Sequence, residues 1–270
     1  KAAIQENKNT DKSISEGLGQ FNISRPKKLH TLTLSLALFT ACQAEPTVGD
    51  KNMITLPSDS SQLLMVTTAN WSTKDGELQR YERGDKSWKK VGTPITIVLG
   101  RNGLGWGVGL HTVPKDAKYV KKEGDGKAPA GLFALGNGFG YDNFEIDFPY
   151  SAYKETDHCV DDSKSKHYNT IIDSTKTAKD YKSFEHMKLK NDLYKYGITV
   201  NHNSNQVANA GSCIFMHIRN KNGKGTAGCT AMREGEIVTV LKWLKRDKKP
   251  LLLQLPQSEI AKKIADNNLK

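Results

Sequence analysis

The chain has 270 residues, with 40 Lys and Arg against 29 Asp and Glu, giving a formal net charge of +11. That length suits one large domain or two small ones, and 37% hydrophobic residues supply a core. Four cysteines are too few for a disulfide-built scaffold of this size. No apolar run approaches the roughly 20 residues of a membrane span, and the composition excludes collagen-like, coiled-coil and wholly disordered chains.

Residues 25–30 form a positive cluster, RPKKLH, and 31–41 follow as the uncharged TLTLSLALFTA. A basic region, a short apolar run and small residues after it predict a secretory signal peptide. Two cleavage chemistries fit. Phe39-Thr40-Ala41-Cys42 resembles a lipobox, which would lipidate Cys42 and tether the chain to a membrane; otherwise cleavage falls after Ala44. Residues 1–44 are therefore read as polar extension plus signal peptide, 45–61 as a linker, 62–256 as one domain and 257–270 as a polar tail. Without residues 1–44 the net charge is still +8, so the basicity belongs to the domain. The lysines are scattered pairs without interleaved aromatics, which argues against nucleic acid. An acidic cell-envelope polymer suits an exported basic protein better.

From residue 62 the pattern is β. LLMVTTANW (63–71), the alternating segment 76–84, and KSWKKVG and TPITIVLG (86–100) are short strands separated by turn residues, as in antiparallel sheets. GRNGLGWGVGL (100–110) is glycine-rich with no helix behind it, so it is no dinucleotide fingerprint. GDGKAPAG (124–131) is no phosphate loop, because Lys121 and Ala128 stand where Gly and Ser or Thr are needed. Residues 151–192 are polar and read as a long excursion with short helices. KYGITVNHN (195–203) and GSCIFMHI (211–218) return to strand. Ile237, Val238, Val240, Leu241 and Leu244 mark one face of a helix over 234–245. LLLQL (251–255) is a buried strand, and a surface helix follows. The fold class is mainly β with short helices.

In GSCIFMHI, Cys213, Phe215 and His217 share one face. Past the turn-rich NKNGKG comes Thr226-Ala227-Gly228-Cys229, just before the helix near Glu234. A hairpin return would bring Cys229 beside His217. A nearby helix N-terminus or imidazolium lowers a thiol pKa, and histidine can take the proton of such a nucleophile. Gly228 lets consecutive N–H groups converge on an oxyanion. The alternative is a small buried cysteine beside an ordinary strand histidine.

His217 followed by Thr-Ala-Gly-Cys resembles the L,D-transpeptidase (YkuD-type) catalytic domain, a β-sandwich-like fold. GDGKAPAGLFALG, CVDDSKSKHYN (159–169), VNHN (200–203), GRNGLGWGVGLH and the closing helix with LLLQLP extend the resemblance over residues 60–256. It implies a nucleophile at Cys229, a base at His217 and a third member in the main-chain carbonyl of Ile218. It implies a peptidoglycan stem peptide as substrate, a monomer, and neither metal nor organic cofactor. Two residues depart from the family pattern: Ala227 replaces its His, and Ala231 replaces its Arg, with Arg233 the nearby stand-in. Arg233, His202, Asn203 and Trp106 are the substrate-binding candidates; His202 and Asn203 could equally complete a turn, and Trp106 could equally pack the core. Cys159 and Cys213 could pair or remain separate thiols. No Cys or His spacing fits a zinc motif, and the adjacent Asp161 and Asp162 face opposite ways on a strand. With water as acceptor the same site is an L,D-carboxypeptidase. With an inert Cys229 the domain is a cell-wall-binding module.

Overall fold

The structure is a computed structural model that describes residues 53–85, 87–264 and 269. The segment read as a signal peptide, and Cys42, lie outside the described residues. Among those described, no helix is long and apolar enough to cross a membrane.

Three long strands open the domain: β1 (Gln62–Thr68), β2 (Asp75–Arg83) and β3 (Trp88–Val98). Each pairs antiparallel with the next, as the alternation predicts. Pro94 cannot donate to a ladder and sits with Gly92 and Thr93 in a bulge opposite Gln79. Gly92 takes a φ of +65° there, a region that costs glycine nothing. The Gln79 amide caps the bulge by donating to Val91 O at 3.1 Å.

A short β4 (Leu104–Trp106) and a 13-residue β5 (Ala128–Gly140) follow, with β6 (Tyr150–Ala152) on the far end of β5. Residues 157–186 then form a separate three-stranded sheet of β7 (Asp157–Val160), β8 (Ile171–Asp173) and β9 (Phe184–His186), with β7 central. The short helices expected over 151–192 are therefore corrected: strands occupy the region, and its one helical turn is the 3-10 segment Asp192–Tyr194. Strands of three or four residues between polar turns are too short to display a period of two.

The chain returns through β10 (Tyr196–Val200), β11 (Phe215–Ile218) and β12 (Thr230–Met232), then helix α1 (Glu234–Trp243), β13 (Leu251–Pro256) and helix α2 (Gln257–Lys263). The large sheet runs β10-β11-β12-β3-β2-β1-β13-β5-β4, and β5 also pairs with β10. The sheet thus closes on itself around one core, in a mainly β, sandwich-like arrangement. Leu63, Leu64, Leu78, Leu132, Phe133 and Leu253 are fully buried there. Burying such side chains stabilises by roughly 1.5–3 kcal/mol each. Helix α1 adds Ile237, Val240 and Leu241 of the stripe read from the sequence, with Leu244 buried just past its end and Val238 half-buried. Ile54, Leu56, Ile260, Ile264 and Leu269, flanking 62–256, join the same core.

The one polar residue of LLLQL is fully buried, and both its amide oxygen and its amide nitrogen are hydrogen-bonded. Gln254 Oε1 accepts from Thr230 Oγ1 at 2.7 Å, and Nε2 donates to Pro129 O at 2.8 Å. This clamp ties β13 to β12 one residue beyond Cys229.

Candidate active site

β11 and β12 run parallel, with Met216, His217 and Ile218 opposite Thr230, Ala231 and Met232. The expected hairpin return is corrected: the chain leaves β11, loops through 219–229 and re-enters beside it in the same direction. Cys229 therefore stands one step before the Met216–Thr230 pair, level with Phe215. Its Sγ accepts from Phe215 N–H at 3.3 Å and donates to Cys213 O at 3.6 Å. Phe215 and His217 share one face of β11, and Cys229 packs in the same buried cluster as Phe215 and Tyr194, the ring that meets His217.

Thr226 explains why the segment holds its shape. Its hydroxyl donates to Cys229 O at 2.6 Å and accepts from Gly228 N–H at 3.1 Å. Its own N–H donates to Leu99 O, and its carbonyl accepts from Arg101 N–H. A Cβ on Gly228 would lie 3.0 Å from Lys127 O and 3.2 Å from Ile214, so glycine is needed for this close docking. The Gly228 N–H is thus engaged by Thr226 and does not stand free for an oxyanion.

The His217 ring is fixed by its neighbour. Nδ1 lies 2.8 Å from Ile218 O. A carbonyl only accepts, so Nδ1 carries the proton and the neutral ring keeps a lone pair on Nε2. The ring is 6% exposed, and burial depresses its pKa to about 4 against a partial lift from Ile218 O. Ala231 is the in-register partner of His217 and is fully buried. A methyl fits there; an arginine in that orientation would bury its charge against the imidazole. Ala227 is exposed at the rim.

Cys229 departs from the expected electrostatics. It is 5% exposed, and burial pushes its thiol well above the ordinary range, reinforced by Glu185, while Phe215 N–H and Lys121 pull the other way. The expected depression by a helix N-terminus fails because β12 intervenes before α1 begins at Glu234. No hydrogen bond joins Sγ to His217 among the described residues. The pair is a neutral thiol and a neutral imidazole.

Cys159 and Cys213 form a disulfide, and Cys229 is the free thiol among the described residues. Disulfides persist in oxidising compartments. Cys213 has a φ of +53°; this kink, ahead of β11, turns its carbonyl onto the Cys229 thiol.

Several site residues carry no signal in the sequence. Tyr194 packs edge-on against His217 with ring centroids 5.1 Å apart, and its hydroxyl donates to Glu185 Oε2 at 2.6 Å. Burial raises the Glu185 pKa, and burial, Cys229 and Glu185 together hold the Tyr194 phenol protonated. On the other side, Lys121 is 5% exposed and donates to Asp125 Oδ1 and Lys122 O, both at 2.7 Å. Its stem packs by Gly211 and Gly228. Asn169, within the CVDDSKSKHYN stretch, donates to His202 O and Asn203 O and accepts from Cys213 N–H. Glu185 on β9 and the Lys121 ammonium from the loop before β5 thus act on the thiol in opposite directions.

The remaining candidates are structural in this geometry. Asn203 has a φ of +52° and closes the 203–211 turn through Val207 and Gly211. His202 is 2% exposed, with ring nitrogens near Val108 O and Ala210 O; burial depresses its pKa to about 4, so it is neutral with one proton for two acceptors. Trp106 is 4% exposed in the main core against Trp71 and His111. Arg233 is the N-cap of α1 and pairs with Glu236 at 3.1 Å. Asp161 bonds Ser183, and Asp162 accepts from Lys164 N–H and Lys182 N–H. Among the described residues no group of three His, Cys, Asp or Glu side chains is placed to hold a metal.

No family model and no curated protein matches the chain. Among solved structures it is similar to the helical cell shape determining protein Pgp2 from Campylobacter jejuni, at 17% identity over 76% of this chain and 51% of that one, with a TM-score of 0.37. The K307A mutant of the same protein aligns at 16% identity over 77% of this chain and 51% of that chain, with a TM-score of 0.36. The chain spans about half the length of these structures.

Proposed function

We propose that the domain is a cysteine-dependent acyltransferase of the cell envelope, an L,D-transpeptidase acting on peptidoglycan stem peptides. The observation that carries the reading is the bond between His217 Nδ1 and Ile218 O. It leaves Nε2 as a base on β11, the strand paired with the one Cys229 leads into, and these are the residues the sequence resemblance assigns to nucleophile, base and carbonyl. The disulfide and the basic domain fit an exported protein working on an acidic polymer.

In this reading the Cys229 thiol turns from Cys213 O and attacks the carbonyl of the L-centre of a diamino acid residue. The Sγ–C bond forms as the thiol proton passes to His217 Nε2. The amide C–N bond breaks, His217 returns the proton to the departing D-alanine amine, and a thioester remains. An acceptor amine then attacks the thioester, its proton goes to His217, and the C–Sγ bond breaks as Sγ takes that proton, restoring the neutral thiol and imidazole. Because both groups start neutral, proton transfer accompanies attack instead of preceding it.

Incubation with a stem tetrapeptide or a carbapenem, read by intact-protein mass spectrometry, tests the proposal. The wild type gains a covalent adduct and Cys229→Ala gains none. An adduct that persists in Cys229→Ala removes the thiol from the reaction. Muropeptide analysis after incubation with sacculi then separates crosslinked dimers, the expected product, from tripeptides without dimers, the product of hydrolysis.

A further inference from the structure

A pocket of about 300 Å³ lies where the three-stranded sheet meets the large one, lined by residues of β5, β7, β8, β10 and β11 and of the turn after β10. That volume is at the small end of ligand sites and suits a group the size of one sugar ring. The Cys159–Cys213 cystine forms part of its wall. Neither Cys229 nor His217 lines it.

The pocket differs from its neighbours in charge. Four other cavities each take two or more charged side chains into their lining. Among the described residues this one takes no Lys, Arg, Asp or Glu, in a chain that is 26% charged. Its histidine, His202, is buried and neutral. A carboxylate or phosphate entering here would give up water and meet no cation, and an ammonium would meet no carboxylate; both losses are costly. The lining therefore selects a neutral ligand.

Its polar groups divide into two sets. Asn169 donates to His202 O and Asn203 O and accepts from Cys213 N–H, and Thr199 donates to Asn137 O. With the cystine, these bonds shape the pocket in advance of any ligand, which lowers the cost of binding. Asn137, Asn201, Ser204 and Gln206 are exposed, and their side chains make no hydrogen bond among the described residues. Three carboxamides and a hydroxyl offer donors and acceptors together. Tyr153, Ile171 and Phe215 add apolar wall. A ligand that answers both sets is uncharged, rich in hydroxyl and amide groups, and has an apolar ring face.

We propose that this pocket is a binding site for a neutral N-acetylated sugar unit of an oligosaccharide, with Asn137, Asn201, Ser204 and Gln206 receiving its hydroxyl and acetamido groups. The inference goes beyond the acyltransfer reading, since binding requires no reaction at Cys229 and stands even if that thiol is inert.

Calorimetry of the full chain with the trimer of N-acetylglucosamine tests it. The trimer should bind, and the glucose trimer, which lacks the acetamido groups, should bind several-fold more weakly. Raising the salt to about 0.5 M, which screens surface charges, should leave the Kd unchanged. Asn201→Ala with Ser204→Ala should raise the Kd about tenfold, roughly the loss of two ordinary hydrogen bonds. Asn137→Ala, on β5, should weaken binding in the same direction, which keeps the test decisive if the double variant misfolds. No binding of the N-acetylated trimer, equal binding of the two trimers, a Kd unchanged in both variants, or binding that disappears with salt overturns the proposal. A fully amidated stem tetrapeptide that displaces the trimer from the Cys229→Ala chain, which has no thiol there to acylate, overturns it in favour of a peptide site.

Discussion

In the large sheet, β13 buries every residue and β1 all but one. In the three-stranded sheet, β8 and β9 bury none fully. Apolar area holds the first. The second relies on the Cys159–Cys213 disulfide, on a stack of His158 against Phe184 at 3.8 Å, and on carboxylates bonded to local N–H and hydroxyl groups. The candidate site draws on both: the large sheet supplies Cys229 and His217, and the small sheet supplies Glu185 and the cystine that fixes Cys213. The buried Cys229 thiol thus sits on a rigid support while part of its surroundings comes from an element with little core of its own.

The largest expected effect lies in the large sheet. Phe133→Ala removes a fully buried ring and should cost about 3–5 kcal/mol, read by chemical denaturation as a loss of the whole cooperative transition. Replacing Cys159 and Cys213 by serine opens a link between residues 54 apart, worth about 4 kcal/mol at most. Hydrogen exchange should then show residues 157–186 losing protection ahead of β1 and β13. Uniform loss across both sheets would erase the distinction between them.

The two regions also differed in how legible they were. β1, β2, β3, α1 and β13 followed from alternation, helical spacing or apolar runs, because in each the core imposes a period on many residues. β7, β8 and β9 did not, since their order rests on side-chain bonds and a cystine between distant residues. His217 and Cys229 could be singled out from TAGC and the preceding strand, and the Ile218 carbonyl lies 2.8 Å from His217 Nδ1. The parallel return of β12 was hidden, because a short connection suggests a hairpin. The raised thiol pKa was hidden too, because burial is a property of the packed site and not of the motif.

The next effect depends on pH. His202 and His217 are both depressed from 6.5 to about 4. Between those values the unfolded chain binds protons that the folded one refuses, so stability is full above about pH 6.5 and falls towards pH 4. Each histidine contributes up to about 3 kcal/mol to that fall. Thermal melts across the window should show it, and His202→Asn should flatten the slope. A melting midpoint constant from pH 7 to 4 would contradict the buried neutral rings. The smallest effect is at the junction of β12 and β13. Gln254→Leu leaves the Thr230 hydroxyl and Pro129 carbonyl unpaired in the core and should cost about 1–3 kcal/mol. It should also slow adduct formation at Cys229, whose strand it clamps; unchanged kinetics would limit Gln254 to stability.

The parallel pairing of β11 and β12 has an evolutionary consequence. Because register, and not the connecting loop, sets Cys229 beside His217, the stretch between them is free to vary in length. Its tip around Gly223 is open, with nothing within 4 Å of the position a side chain would take. Extra residues there leave the two strands where they are, whereas one residue inserted within β11 would turn His217 to the opposite face. Asn220 and Lys221, on the same loop, line an open cavity of about 630 Å³. Insertions and substitutions can therefore accumulate in a segment separate from the one that holds Cys229.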